Sequence, residues 1–187
     1  MRGQGRNAIF FILALGVLFH AEGAQAAAGE DEKARGDDPE RGALEVVTQI
    51  EINAEPARVW AILTDFPAMA SWNPFIRSLK GRSLEGERIE AQIAPPGQST
   101  MTFKPVLLAV RPERELRWLG SLVAPGLFDG EHAFLLEALP GGRTKFVQSE
   151  RFSGLFAPLI MSGSRLQATL SGFAAMNDAL KRRAEAR

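Results

Sequence analysis

The chain has 187 residues, of which 45% are hydrophobic and 24% charged, and 22 Lys+Arg balance 22 Asp+Glu. This composition excludes a disordered chain and a multi-span membrane protein, and the even charge lacks the basic excess that nucleic-acid binding needs. With no Cys, no Tyr and two His, disulfides, thiolate nucleophiles, Cys-ligated zinc and phenol acid/base chemistry are out, and neither a metal nor a cofactor is expected.

Arg2 and Arg6 precede an apolar run from Ala8 to Phe19. The run falls short of the roughly 20 residues of a spanning helix and has the length of a signal-peptide core. Ala24-Gln25-Ala26 then matches the small-residue pattern of a cleavage site, so residues 1–26 read as a signal peptide cut before Ala27 and the protein as secreted or periplasmic. The alternative is an uncleaved N-terminal membrane anchor. Residues 27–43 carry the acid-rich stretch GEDEKARGDDPER, which cannot bury enough apolar surface to fold and reads as a flexible linker. Residues 44–187 remain as one domain of ordinary size.

Val46, Thr48, Ile50 and Ile52 alternate with polar or outward positions and predict a first strand over 44–53. Asn53 is placed to cap a short helix with Pro56 in its first turn and Val59, Trp60, Ile62 and Leu63 as its apolar stripe, ending near Asp65. A second short helical turn over 67–71 leads to Trp72-Asn73-Pro74, where the proline forces extended geometry. Six short apolar segments follow near 75–82, 88–94, 101–111, 115–121, 130–139 and 144–152, with Gly141-Gly142 as a hairpin signal between the last two. Leu166, Leu170, Phe173, Met176 and Leu180 recur at helical spacing, predicting a long helix from Ser164 to the basic end Lys181-Arg182-Arg183. The expected fold is α+β, a curved seven-stranded antiparallel sheet with two short helices, gripping one long C-terminal helix.

Four segments carry a resemblance to a known group: INAEPARVWAILTDFPAMASWNPFI at Ile52 to Ile76, GLFDGEHAF at Gly126 to Phe134, FVQSERFSGL at Phe146 to Leu155, and GFAAMNDALKRRAE at Gly172 to Glu185. Together they resemble the START-like, or SRPBCC, superfamily of helix-grip domains, which includes the birch pollen allergen type and the polyketide cyclase/dehydrase type. The resemblance implies a space between sheet and helix, with Trp72, Asn73 and Phe75 near its rim. It does not choose among lipid carriers, receptors and cyclases, because one fold hosts many functions.

Alternation puts His132 and Phe134 on one face of their strand, and Phe146, Gln148, Glu150 and Phe152 on one face of the next. The aromatic residues mark that face as interior. His132, Gln148 and Glu150 are thus expected beside an aromatic lining that also includes Trp118 and Phe128, the composition of a small-molecule pocket. His132 and Glu150 are also the candidates for proton transfer, against the reading of a satisfied structural pair. No nucleophile-elbow serine, zinc-helix or P-loop motif accompanies them. The apolar loops around Phe128 and at Gly154 to Met161 read as a lid, as a transient membrane contact, or as packing beneath the helix. The expected partner is a hydrophobic small molecule. A cyclase- or dehydrase-like enzyme and an interaction domain with a filled core, whose apolar loops would meet an unknown protein partner, are the alternatives.

Overall fold

In the computed structural model, residues 43–122 and 124–186 are described, so the predicted signal peptide lies outside the described residues, as does all but the last residue of the predicted linker. The strands are β1 (Leu44–Ile52), β2 (Ile76–Lys80), β3 (Glu90–Ile93), β4 (Met101–Phe103), β5 (Val106–Arg111), β6 (Glu115–Ser121), β7 (Asp129–Leu139) and β8 (Arg143–Ser153). The helices are α1 (Pro56–Thr64), α2 (Met69–Trp72), α3 (Ala157–Ile160) and α4 (Ser164–Glu185), with a 3-10 turn at Phe66–Ala68 ahead of α2.

The architecture is α+β and antiparallel throughout, but the strands form two sheets instead of one of seven. A five-stranded sheet runs β1-β8-β7-β6-β5 and a three-stranded sheet runs β2-β3-β4. The predicted strand over 101–111 divides at Lys104-Pro105, because Pro105 has no N–H to give a ladder. Its carbonyl instead accepts from Ile89 N–H, and Leu107 N–H bonds to Glu87 O. These bonds stitch the small sheet to β5 across the break.

The hairpin at Gly141-Gly142 forms as the residues require: both glycines adopt positive φ, of 80° and 70°, a region other L-residues enter at a cost. Pro56 opens α1, but Asn53 does not cap it. The residue ahead of the helix is Glu55, with no side-chain cap. Asn53 N–H is used elsewhere, donating to Glu185 Oε1 at 2.7 Å.

Glu185 also accepts from Lys181 Nζ at 2.6 Å, and Lys181 Nζ donates to Glu51 O at 2.7 Å. Burial pushes the Glu185 carboxyl up, but the Asn53 N–H and the Lys181 ammonium outweigh it and hold the group below the usual carboxylate range. The C-terminal end of α4 is therefore fastened to the end of β1. Further along α4, Asn177 Nδ2 donates to Thr48 Oγ1 of β1 at 3.0 Å, the explanation of the polar interruption in the helix stripe. Phe173, Met176 and Leu180 are fully buried beneath it.

Midway along α4, Gly172 meets Phe75, whose ring stands edge-on to Phe173 with centroids 5.3 Å apart. A Cβ at Gly172 would fall 2.2 Å from Phe75 Cδ2, inside any van der Waals contact. Alanine gains about 1 kcal/mol of helix propensity over glycine, yet overpacking a dense core costs about 1–3 kcal/mol. Since Phe75 is itself buried, the steric cost wins. Gly172→Ala is expected to destabilise the fold by about 1–2 kcal/mol in urea unfolding. Unchanged or raised stability would show that the Phe75 ring yields freely.

Candidate functional site

The register of the large sheet explains where the interior is filled and where it is hollow. One row across it pairs Thr48 with Gln148, Gln148 with Phe134, and Phe134 with Leu116. These four side chains are buried, and Phe173, Met176 and Asn177 of α4 are buried in the same core. The next row pairs Glu150 with His132 and His132 with Trp118. One row further, Phe152 pairs with Gly130 and Gly130 with Gly120. Two facing glycines supply no side chains, so the layer that is solid at Phe134 becomes a trough at Gly120 and Gly130.

A cavity of about 320 Å³ occupies that trough. Its walls come from Phe75 beside β2, Ala91 and Ile93 of β3, Met101 and Phe103 of β4, Trp118 of β6, and His132, Glu150 and Phe152 of β7 and β8. Phe128 closes it on the β6–β7 loop, and Ile160, Met161, Arg165 and Thr169 close it from α3 and the first turns of α4. The exposed lining residues Gln98, Ser99, Met101, Leu122 and Arg165 mark its mouth. Leu155 and Leu159, beside it on the 154–161 segment, are 74% and 76% exposed.

Of the residues singled out in the sequence, Phe75, Trp118, Phe128, His132, Glu150 and Phe152 line the cavity. Phe134, Phe146 and Gln148 do not, being buried in the filled rows. Trp72 and Asn73 do not line it either. The Trp72 indole N–H is buried without a partner among the described residues. Asn73 is fully buried and structural: its Oδ1 accepts from Phe75 N–H at 2.9 Å and Ile76 N–H at 2.8 Å, starting β2 after the proline. The wall from β3, β4 and the start of α4 was missed. Those residues become visible only once the small sheet is known to fold over the large one.

His132 is 3% exposed and held on every side. Its ring stacks on Trp118 at 4.9 Å and 17°, and touches Phe134 and Phe173 at centroid distances of 4.5 and 5.1 Å. Glu150 Oε2, a carboxylate oxygen that only accepts, lies 3.4 Å from His132 Nδ1 and takes its N–H, while the Gln148 amide faces His132 Nε2 at 3.2 Å. Both ring nitrogens are thereby engaged, and Glu150 is the group of the pair that presents a free edge to the cavity. Gln148 thus lies behind His132 and does not line the cavity.

The sequence matches the family described as polyketide cyclase/dehydrase and lipid transport over residues 43–185. The chain belongs to that family. No curated protein gives a significant match. Among solved structures, a hypothetical protein of Helicobacter pylori is similar with a TM-score of 0.63 and 18% identity, covering 87% of this chain and 100% of that one. A START superfamily protein of Mycobacterium smegmatis gives 0.58 and 18%, covering 77% and 98%. An aromatase/cyclase of a Streptomyces species gives 0.57 and 17%, covering 77% and 94%. At these identities the likeness carries the fold: a START-like helix grip.

Within this family member, Asn73 is expected to matter for folding and not through a ligand. Asn73→Ala leaves two backbone N–H groups without acceptors and should cost about 2–6 kcal/mol, at roughly 1–3 kcal/mol per orphaned group. Urea unfolding measures it, and a loss under 1 kcal/mol would show that water or a shifted backbone replaces the amide.

Proposed function

We propose that the chain is an exported binding protein that holds a hydrophobic or amphipathic small molecule, lipid-like or polyketide/aromatic, between sheet and helix. The observation that carries this is the cavity itself, about 320 Å³, walled by aromatic and aliphatic side chains with few polar groups. That is the composition of small-molecule sites, where apolar walls supply affinity and sparse polar groups supply orientation. Burial of ligand apolar area contributes at roughly 25 cal/mol per Å². The volume sits at the small end of the range for such sites, which favours a compact ring system or a single short chain over a whole two-chain lipid. The exposed Leu155 and Leu159 beside the mouth support a transient membrane contact during loading.

Fractionation of native host cells followed by mass spectrometry tests the export and the cargo together. The expected result is a chain beginning at Ala27, recovered outside the cytoplasm with an apolar small molecule bound. Intact Met1 on cytoplasmic protein would remove the export; protein that carries nothing, and binds no apolar probe, would remove the cargo.

A second reading is supported by the 3.4 Å approach of His132 Nδ1 to Glu150 Oε2 at the cavity wall, and by the likeness to an aromatase/cyclase. Here the chain is a cyclase- or dehydrase-like enzyme, with Glu150 exchanging a proton with the ligand and His132 supporting it. This reading expects His132→Ala to abolish turnover of a polyketide-like substrate while ligand affinity changes little. Equal loss of both would favour the binding protein.

A further inference from the structure

We infer that Glu150 captures a hydrogen-bond donor at the buried end of the ligand, so that the cavity takes an apolar body led by an O–H or N–H group. The inference rests on the ligand-holding reading and adds to it the chemistry of the end that enters first. A carboxylate offers acceptors only, with room for about four donors. Oε2 of Glu150 has one, the His132 Nδ1–H at the long distance of 3.4 Å. Oε1 has no donor among the described residues and stands over Gly130, where a Cβ would lie 2.8 Å from it.

Among the described residues, none gives Glu150 a second proton. The His132 ring is fixed between Trp118, Phe134 and Phe173, and its far nitrogen is engaged by Gln148. Arg165, the lining cation, is exposed at the mouth and makes no ion pair with Glu150. The Glu150 side chain is only 17% exposed, so water reaches it through the cavity, and an apolar ligand that fills the cavity displaces that water. A ligand without a donor therefore strands the carboxylate, which costs free energy, and a ligand leading with a carbonyl or carboxylate sets lone pairs against lone pairs. A hydroxyl or a protonated amine restores the lost hydrogen bond.

The test is isothermal titration calorimetry of the full domain with β-naphthol, its methyl ether and naphthylmethylammonium. The expected result is that the hydroxyl or the ammonium compound binds about tenfold or more tightly than the ether, the size of a hydrogen bond to a charged group. Which of the two leads tells a hydroxyl ligand from an amine. Glu150→Gln and Gly130→Ala, each checked for folding by circular dichroism, should both narrow the ratio to about threefold or less. The first removes the charge, and the second keeps it but pushes the carboxylate from its place. Equal binding of donor and ether, or a ratio that survives both variants, overturns the inference and leaves the cavity reading standing. Absence of binding by all three compounds overturns both.

Discussion

The pairing of Gly120 with Gly130 across β6 and β7 is the constraint on which the interior depends. In the row of Thr48, Gln148, Phe134 and Leu116 the strands present buried side chains, and the gap to α4 closes by ordinary packing. At the glycine pair the sheet presents bare backbone, so the layer thins by a side chain's depth while α4 stays at the distance set by Phe173 and Met176 next door. The cavity is thus a consequence of register. A slip of one residue in β7 would turn Gly130 and His132 outward and close the trough with Glu131 and Ala133.

The same register sorts the polar residues. Gln148, His132 and Glu150 form a short chain from the solid part of the core to the hollow part, and each member has a different job. Gln148 meets the far nitrogen of the imidazole, His132 fills a box of aromatic rings and lends its N–H to Glu150, and Glu150 faces the space. Gly130 belongs to this chain as well, since its missing side chain is what lets the carboxylate fold over the strand.

Much of this is legible in the sequence. Alternation places His132 on one face of its strand and Glu150 and Phe152 on one face of the next, the aromatic residues mark those faces as inner, and the helical spacing of Leu166 to Leu180 gives α4 its inward stripe. What alternation does not give is depth along a strand. Phe134 and Phe152 lie on the same face by parity, yet one is core and the other cavity wall, because depth depends on what stands opposite in other strands and helices. The break at Lys104-Pro105 shows the same limit. Its proline was visible, but the extended residues on both sides read as one strand until their separate partners, β3 and β6, were known. Asn73, which the resemblance implies near the rim, is structural for a related reason: the two backbone N–H groups it satisfies are visible only when the chain is folded.

The fastening of α4 at one end has a mechanical result. Lys181 and Glu185 rivet the C-terminal turn to β1, while the opposite end begins at Gly163 with no side-chain cap and roofs the hollow. The fastened end of the helix is thus the one away from the cavity, and the end over the cavity is held by packing, with Leu166 and Leu170 against the core and Ala168 and Thr169 buried. The shape of the hollow and the anchoring of the scaffold thereby fall to separate ends of one element, so substitutions near Gly163 are free to reshape the first while Lys181 and Glu185 keep the second.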